Sequence, residues 1–269
     1  MTVSDQHSSI ASWTEPQGLN PRGTIIVIPG RGERPGVYER FGRRLAADAY
    51  RVRAVASPAD DAALTEKQVG EVLADGPAPV VLAGSDTGAL FAIALVASGR
   101  LPEAAALVLA GLPAGTAADG TVPDGTAAGQ AGHDDARAGG DAPAAGSWDA
   151  ELEARTACPT HRGRLSGDVL RRGALYEAVP GGLTEQADLA AVTVPVLGIH
   201  GAADPVSPLA AARARYAAAP RAELVSIAGG RHDAFNDITH RTAAATIVLF
   251  LERLRNGADL TPIAVRQSL

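Results

Sequence analysis

The clearest chemical pattern in the chain lies in residues 80–92, VVLAGSDTGALFA. The stretch predicts a buried strand, a tight turn and the start of an apolar helix, with Gly84 and Gly88 placed on either side of Asp86. That arrangement is typical of a nucleophile elbow, a turn so sharp that only glycines fit beside the reactive side chain. Asp86 is therefore the candidate nucleophile. A carboxylate attacks saturated carbon, whereas an activated hydroxyl attacks carbonyl groups.

The register of the two glycines distinguishes Asp86 from its neighbour Ser85. With Ser85 at the apex, the flanking glycines would fall at positions 83 and 87, which hold alanine and threonine. With Asp86 at the apex, both positions are filled by glycine. The alternative interpretation is an ordinary strand-to-helix loop in which Asp86 only caps the helix.

Two later loops supply an acid and a histidine in the order that such a site needs. Residues 198–205, GIHGAADP, follow a predicted strand and put Asp204 in the loop beyond it. Residues 229–233, GGRHD, follow the last predicted strand and put His232 in a second loop. His232 would transfer protons and Asp204 would orient it.

Simpler interpretations exist for these loops. An aspartate before a proline, as at Asp204, can start a turn. Asp233 and Asp237 flank the histidine loop and are rival acids, although neither follows a strand end directly. His200 lies at a strand end, where we expect it to pack beneath the site.

A glycine-containing loop after the first core strand predicts backbone N–H donors. In residues 28–33, IPGRGE, the expected donor to a developing oxyanion is the N–H of Arg31, together with that of Thr87. The Arg31 side chain has two interpretations: it orients an anionic group, or it forms a surface ion pair with Glu33 or Glu39. The expected substrate-lining residues are Gly30, Tyr38, Ser85, Trp148 and Tyr176.

Short apolar strands alternate with helices along the rest of the chain. Strands are predicted at residues 24–28, 51–56, 79–83, 105–110, 195–200 and 223–228, and helices at 37–48, 64–73, 88–98, 209–219 and 242–254. This alternation predicts an α/β fold with a mostly parallel central sheet and helices on both faces. Ligands of such sheets bind beyond the carboxyl ends of the strands, where each candidate side chain is expected.

The predicted domain organisation is a single core with an insertion. Residues 23–112 and 191–269 form the core, and residues 1–22 form a tail that ends in a short strand near Trp13. Residues 113–147 are rich in Ala, Gly, Asp, Pro and Thr and predict a flexible low-complexity loop, since they cannot bury enough surface to offset their ordering entropy. Residues 148–190 predict a small helical cap.

The composition argues against several classes of binding partner and of cellular location. The net charge of −6 argues against a nucleic-acid footprint. The single cysteine, Cys158, excludes a disulfide within the chain and fits a reducing cytoplasm, and the polar N-terminus lacks the blocks of a signal peptide. We expect a cytoplasmic protein with a small-molecule substrate, no metal, no cofactor and no membrane contact. The sequence leaves the oligomeric state open.

These motifs together resemble the α/β-hydrolase superfamily over about residues 22–111 and 192–256. The stretch from 29 to 50 is similar to the monoacylglycerol-lipase and lysophospholipase branch, whose Gly-x-Gly-Glu-x-x-x-x-Tyr pattern is matched by Gly30, Gly32, Glu33 and Tyr38. The aspartate at the nucleophile position instead resembles epoxide hydrolases and haloalkane dehalogenases. The resemblance implies the α/β-hydrolase fold and a triad of Asp86, Asp204 and His232, and it leaves the predicted cap unassigned.

Departures from these families limit what the resemblance implies about the substrate. Haloalkane dehalogenases typically carry a tryptophan directly after the nucleophile, where this chain has Thr87. Epoxide hydrolases usually protonate the opening oxygen with two cap tyrosines, and this cap offers Tyr176 alone. The preferred hypothesis is attack of Asp86 on an epoxide, protonation of the oxygen by a cap residue, and hydrolysis of the ester by water that His232 activates.

Two other functions stay open. Asp86 and His232 could act as an acid–base pair in ring opening, elimination, cyclisation or C–C bond formation on a polyketide-type natural product. The flexible loop at 113–147 and the small cap would suit a bulky, aromatic substrate for such an enzyme. The third hypothesis is a non-catalytic binding protein that kept the pocket.

Overall fold

The computed structural model describes residues 9–114, 144, 146–265 and 267. Within these residues one sheet contains seven strands: β1 (Ala11–Trp13), β2 (Gly23–Ile28), β3 (Tyr50–Ala54), β4 (Val80–Ser85), β5 (Ala104–Ala110), β6 (Val196–Gly201) and β7 (Ala222–Ile227). The strand order is β1-β3-β2-β4-β5-β6-β7. Strand β1 runs antiparallel to β3, and every other neighbouring pair is parallel. The predicted mostly parallel sheet is confirmed, and so is the short strand near Trp13.

Helices follow the strands as predicted, with shifted ends. They are α1 (Glu39–Ala47), α2 (Pro58–Asp75), α3 (Thr87–Ala97), α4 (Trp148–Arg155), α5 (Pro159–Leu165), α6 (Leu183–Gln186), α7 (Leu209–Tyr216) and α8 (His240–Arg255). Helix α2 is longer than its apolar pattern predicts, because it includes a first turn that Ser57 caps by accepting the N–H of Ala59. A kink at Asp61, with φ −154° and ψ 94°, separates this turn from the rest of the helix. None of the helices in this part of the chain is long and apolar enough to cross a membrane.

The core lies on both faces of the sheet. Along β2, Ile25 and Val27 point into one apolar cluster, and Ile26 and Ile28 point into the other. Helices α1 and α8 cover the first face, while α2, α3 and α7 cover the second. A strand that is buried on both faces reads as a continuous apolar run, which explains why these strands were recognisable in the sequence.

The segment between β5 and β6 carries α4, α5 and α6 in its described part. The predicted flexible loop at 113–147 lies almost wholly outside the described residues. In the predicted cap, Leu183 and Leu189 join the apolar cluster that contains Leu90 of α3. The second half of this segment therefore packs on the core, and the limits of a separate cap stay a prediction.

The sheet order brings four loops to one edge. Strands β2, β4, β6 and β7 are parallel, so the loops that follow them all begin at the carboxyl edge of the sheet. These loops contain Arg31, Asp86, Asp204 and His232. Residues far apart in the chain thereby come close together.

Candidate active site

Asp86 occupies the apex of a sharp turn between β4 and α3. Its φ of 51° and ψ of −120° are uncommon for a residue other than glycine. A Cβ at Gly84 would lie 2.4 Å from the carbonyl oxygen of Gly88, and a Cβ at Gly88 would lie 2.0 Å from that of Ile28. Both positions therefore require glycine, which is the condition that defines the elbow.

We expect Gly88→Ala to lower the free energy of unfolding by about 3 kcal/mol, because the new methyl group would overlap the backbone of β2. Urea denaturation would measure the change. Gly70→Ala is the matched control, since nothing lies within 4 Å of a Cβ there and alanine is the better helix former in α2. Equal stabilities of the two variants would contradict the tight turn.

The side chain of Arg31 forms a two-pronged ion pair with Asp86. Its Nε donates to Oδ2 at 2.8 Å, and its Nη2 donates to Oδ1 at 2.8 Å. The backbone N–H of Arg31 also donates to Oδ2, at 2.9 Å. Of the two interpretations of the Arg31 side chain, the structure shows the one in which it contacts an anionic group: Arg31 is only 8% exposed and pairs with the carboxylate of Asp86.

His232 lies between two carboxylates. Its Nδ1 donates to Oδ2 of Asp204 at 2.8 Å, and its Nε2 lies 3.7 Å from Oδ1 of Asp86. The second distance is an ion-pair contact and is too long for a hydrogen bond. Among the described residues, Nε2 of His232 has no hydrogen-bond partner although it is buried. This nitrogen is therefore placed beside Asp86 with its own bonding capacity unused.

The charges of the site fix its protonation. Burial would raise the pKa of Asp86, but the charge of Arg31 and the contact with His232 hold that pKa well below its usual range. Burial would lower the pKa of His232, but the charge of Asp204, its hydrogen bond and the charge of Asp86 raise it to about 10. At neutral pH the site therefore holds a carboxylate beside an imidazolium.

The other acids near the histidine have different partners. Oδ2 of Asp233 lies 3.0 Å from Nε2 of His161, and Oδ1 of Asp237 accepts a hydrogen bond from the hydroxyl of Thr156 at 2.8 Å. Asp204 itself is held in place by the backbone N–H groups of residues 206 and 207 at 2.8 and 3.0 Å. Of the three acids, Asp204 is therefore the one that contacts His232.

His200 lies beneath this pair, as expected. It is fully buried, and its Nε2 lies 2.7 Å from the carbonyl oxygen of Ser207 and 3.6 Å from Oδ2 of Asp204. The carbonyl contact requires the proton on Nε2. His200 therefore supports the loop that carries Asp204.

The glycine loop is braced from behind by Glu33. Its Oε2 accepts the backbone N–H of Gly30 at 2.8 Å and the hydroxyl of Tyr38 at 2.5 Å. A Cβ at Gly30 would lie 2.8 Å from Cβ of Asp86, so glycine is needed there. Tyr38 is only 1% exposed, and its hydroxyl is committed to Glu33. Its expected contact with substrate stays a prediction.

The remaining expected residues lie at the margins of this group. Ser85 is the buried last residue of β4, and Thr87 is the buried first residue of α3. The ring of Trp148 lies 4.7 Å below the guanidinium of Arg172, and Tyr176 is 46% exposed. In the described part of the chain, neither aromatic side chain is hydrogen-bonded to Asp86 or His232.

The sequence interpretation missed a buried arginine. Arg155, at the end of α4, donates to the carbonyl oxygen of Arg31 at 2.9 Å and to Oε1 of Glu151 at 3.1 Å. It also forms ion pairs with Glu33 at 3.6 Å and Asp233 at 3.5 Å. The spacing of Glu151 and Arg155, four residues apart on one helix, was the available signal. No group of three or more His, Cys, Asp or Glu side chains in the described residues could hold a metal ion.

The family model described as "Serine aminopeptidase, S33" matches residues 153–239. The matched stretch contains Asp204 and His232 and begins after the elbow. A comparison with curated proteins gave no match. The match therefore covers the acid and histidine loops but says nothing about the residue at the elbow.

Solved structures show the same architecture at low identity. A monoacylglycerol lipase from Paleococcus ferrophilus is 17% identical, with a TM-score of 0.64 over 93% of this chain and 98% of that one. A soluble variant of monoglyceride lipase from Saccharomyces cerevisiae, bound to a substrate analogue, is 16% identical, with a TM-score of 0.63 over 91% of each chain. An esterase from Rhodococcus sp. ECU1013 is 20% identical, with a TM-score of 0.61 over 92% of this chain and 96% of that one. Together with the sheet order and the elbow, these similarities show that the chain has the fold of the α/β-hydrolase superfamily.

Proposed function

We propose that this protein is an α/β-hydrolase-fold enzyme that opens and hydrolyses an epoxide through an ester of Asp86. One observation carries the proposal: a carboxylate stands at the apex of the elbow, with its Oδ1 facing a buried nitrogen of His232. The hydrogen bond from His232 to Asp204 supports a role in proton transfer.

The lipases and esterases with the same fold do not supply the chemistry. A carboxylate that attacked an ester would form an anhydride, so Asp86 is poorly suited to carbonyl substrates. Ser85 is buried at the end of β4 and is not at the apex of the turn. An electrophilic saturated carbon is the substrate that the elbow of this chain favours.

In the first step, Oδ1 of Asp86 attacks one ring carbon, and the bond between that carbon and the epoxide oxygen breaks. The oxygen then takes the proton from Nε2 of His232, which is protonated because its pKa is about 10. The sequence instead predicted a cap residue for this role, and that stays a prediction; Tyr176, the tyrosine of the predicted cap, is 46% exposed. The products of the step are a neutral ester and a neutral imidazole.

Ester formation prepares His232 for the second step. The negative charge of Asp86 is one of the causes that raise the pKa of His232, and the ester no longer carries it. The pKa of the histidine therefore falls once the ester forms. His232, which is neutral after giving its proton to the epoxide oxygen, can then accept a proton from water.

In the second step, the activated water adds to the ester carbon, Cγ of Asp86, and His232 takes its proton. The oxyanion develops on Oδ2, the oxygen that already accepts the backbone N–H of Arg31 at 2.9 Å. Collapse expels the diol oxygen, which takes the proton of the re-formed carboxyl group. Asp86 is again a carboxylate and His232 again an imidazolium.

The acid–base hypothesis is less well supported. A base must hold a proton after taking it, and the low pKa of Asp86 makes its carboxylate a weak base. The same low pKa keeps Asp86 ionised and therefore available for nucleophilic attack. The charges of the site thus favour the covalent route over the acid–base route.

The test is the intact mass of His232→Ala after exposure to a panel of aryl and alkyl epoxides. We expect a mass gain equal to one epoxide, located at Asp86. Asp86 can still attack the epoxide slowly, with solvent as the source of the proton, but the resulting ester accumulates because the base that would activate water is missing. Asp86→Asn is the control and should stay unmodified. A second measurement could contradict the covalent route. If a single turnover of the unmutated enzyme in H₂¹⁸O put the label into the diol and none into the protein, water would have attacked the epoxide directly.

A further inference from the structure

The ion pair between Arg31 and Asp86 sets a condition on the substrate. Nη2 of Arg31 donates to Oδ1, the oxygen proposed above as the nucleophile, at 2.8 Å. A guanidinium that binds a carboxylate oxygen withdraws the electron density that attack requires. Asp86 is therefore restrained as well as ionised, and this inference rests on the covalent function proposed for it.

Arg31 has a further contact outside its ion pair with Asp86. Its Nη1 donates to the carbonyl oxygen of Glu177 at 2.6 Å, a contact that does not involve Asp86. Its side chain is 10% exposed, while that of Asp86 is 2% exposed. The guanidinium is thus the more accessible partner, and its planar fork fits a second carboxylate as well as the first.

Ester formation removes the negative charge that Arg31 contacts. The carboxylate of Asp86 becomes neutral, and the buried guanidinium then faces an uncharged ester. A buried cation is costly unless it is paired. The nearby carboxylate of Glu177 is a poor substitute, because it is exposed and bound to Arg171.

We propose that the substrate carries a carboxylate that binds the Arg31 guanidinium in place of Asp86. Docking of this group releases Oδ1 for attack and supplies a negative charge that replaces the charge of Asp86 while the ester exists. The substrate class is therefore an epoxy acid. Arg31 selects the substrate by its charge, and its backbone N–H keeps the oxyanion role.

Binding of a charged and an uncharged probe tests the proposed carboxylate site without any turnover. In Asp86→Asn the guanidinium has lost its internal anion, so 3-phenylpropanoate should bind at least ten-fold more tightly than to the unmutated protein by isothermal titration calorimetry. 3-Phenylpropanamide, the uncharged isostere, should show no such gain. Adding Arg31→Gln to Asp86→Asn should abolish the gain for the carboxylate.

Kinetics of the unmutated protein give a second test that needs no variant. We expect kcat/KM for 3-phenylglycidate to exceed that for 3-phenylglycidamide by at least a hundred-fold. Equal rates for the two, with an ester at Asp86 from both, would overturn the carboxylate inference and leave the covalent function intact. Tight binding of 3-phenylpropanoate that depends on Arg31, with no ester from any epoxide, would support the anion site and reject the covalent function. Equal binding of the two probes to Asp86→Asn would also overturn the inference.

Discussion

Asp86→Asn should reduce kcat for epoxide hydrolysis by at least about 10⁴-fold, because the amide oxygen is a far weaker nucleophile than the carboxylate oxygen. The exchange hardly changes the size of the side chain. It also leaves the backbone N–H of Arg31 with an oxygen acceptor at the apex of the turn. Loss of activity would therefore report on the chemistry of residue 86. Initial rates on the best epoxide of the panel would measure it.

Asp75→Asn is the matched control for this substitution. Asp75 is the exposed last residue of α2, and its change should leave kcat within two-fold. Circular dichroism would establish that both variants are folded. An Asp86→Asn enzyme with undiminished kcat would reject every catalytic role for Asp86 and leave the elbow as a structural turn.

Asp204→Asn should lower kcat by about 10⁴-fold, the typical cost of replacing the aspartate that orients a catalytic histidine. An asparagine can present its NH₂ group to Nδ1 and so favour the wrong tautomer of His232. It also removes a charge that raises the pKa of the histidine. Asp259→Asn is the control, because Asp259 is exposed near the end of the chain.

The pH profile distinguishes this effect from a loss of structure. In the proposed first step His232 acts as an acid, so activity is present while it is protonated and is lost as pH rises through its pKa of about 10. Without Asp204, burial lowers that pKa with less opposition, and the alkaline limb of kcat/KM should move at least about one unit lower. A variant with reduced activity but an unchanged alkaline limb would show that Asp204 does not act through His232.

The candidate site was predictable because its signals are local and its elements are regular. The glycines beside Asp86 specify a turn, and Asp204 and His232 each come soon after an apolar strand that is easy to recognise. In a parallel sheet the carboxyl ends of neighbouring strands meet, so chain order was enough to bring the three side chains together. The mostly parallel sheet followed from the same alternation of strands and helices.

The side-chain partners of Arg31 and Arg155 were not predictable in the same way. Backbone position put Arg31 at the correct edge, but its side chain could reach acids in its own loop or in a loop 55 residues away, and sequence spacing does not rank these partners. Arg155 contacts the carbonyl oxygen of Arg31 at a separation of 124 residues. Such contacts depend on how the insertion packs on the core, and its polar, short helices carry little periodic signal.

Helix α4 belongs to the site energetically, although it lies in the insertion. The backbone N–H groups of His232 and Asp233 donate to the carbonyl oxygens of Ala154 and Arg155, at 3.2 and 2.8 Å. Local unfolding of α4 would release the loop that carries His232 and the carbonyl oxygen of Arg31 at the same time. The helix and the site should therefore open as one cooperative unit. A ligand bound at Asp86 should therefore slow amide hydrogen exchange at the end of α4, through linkage and without touching the helix.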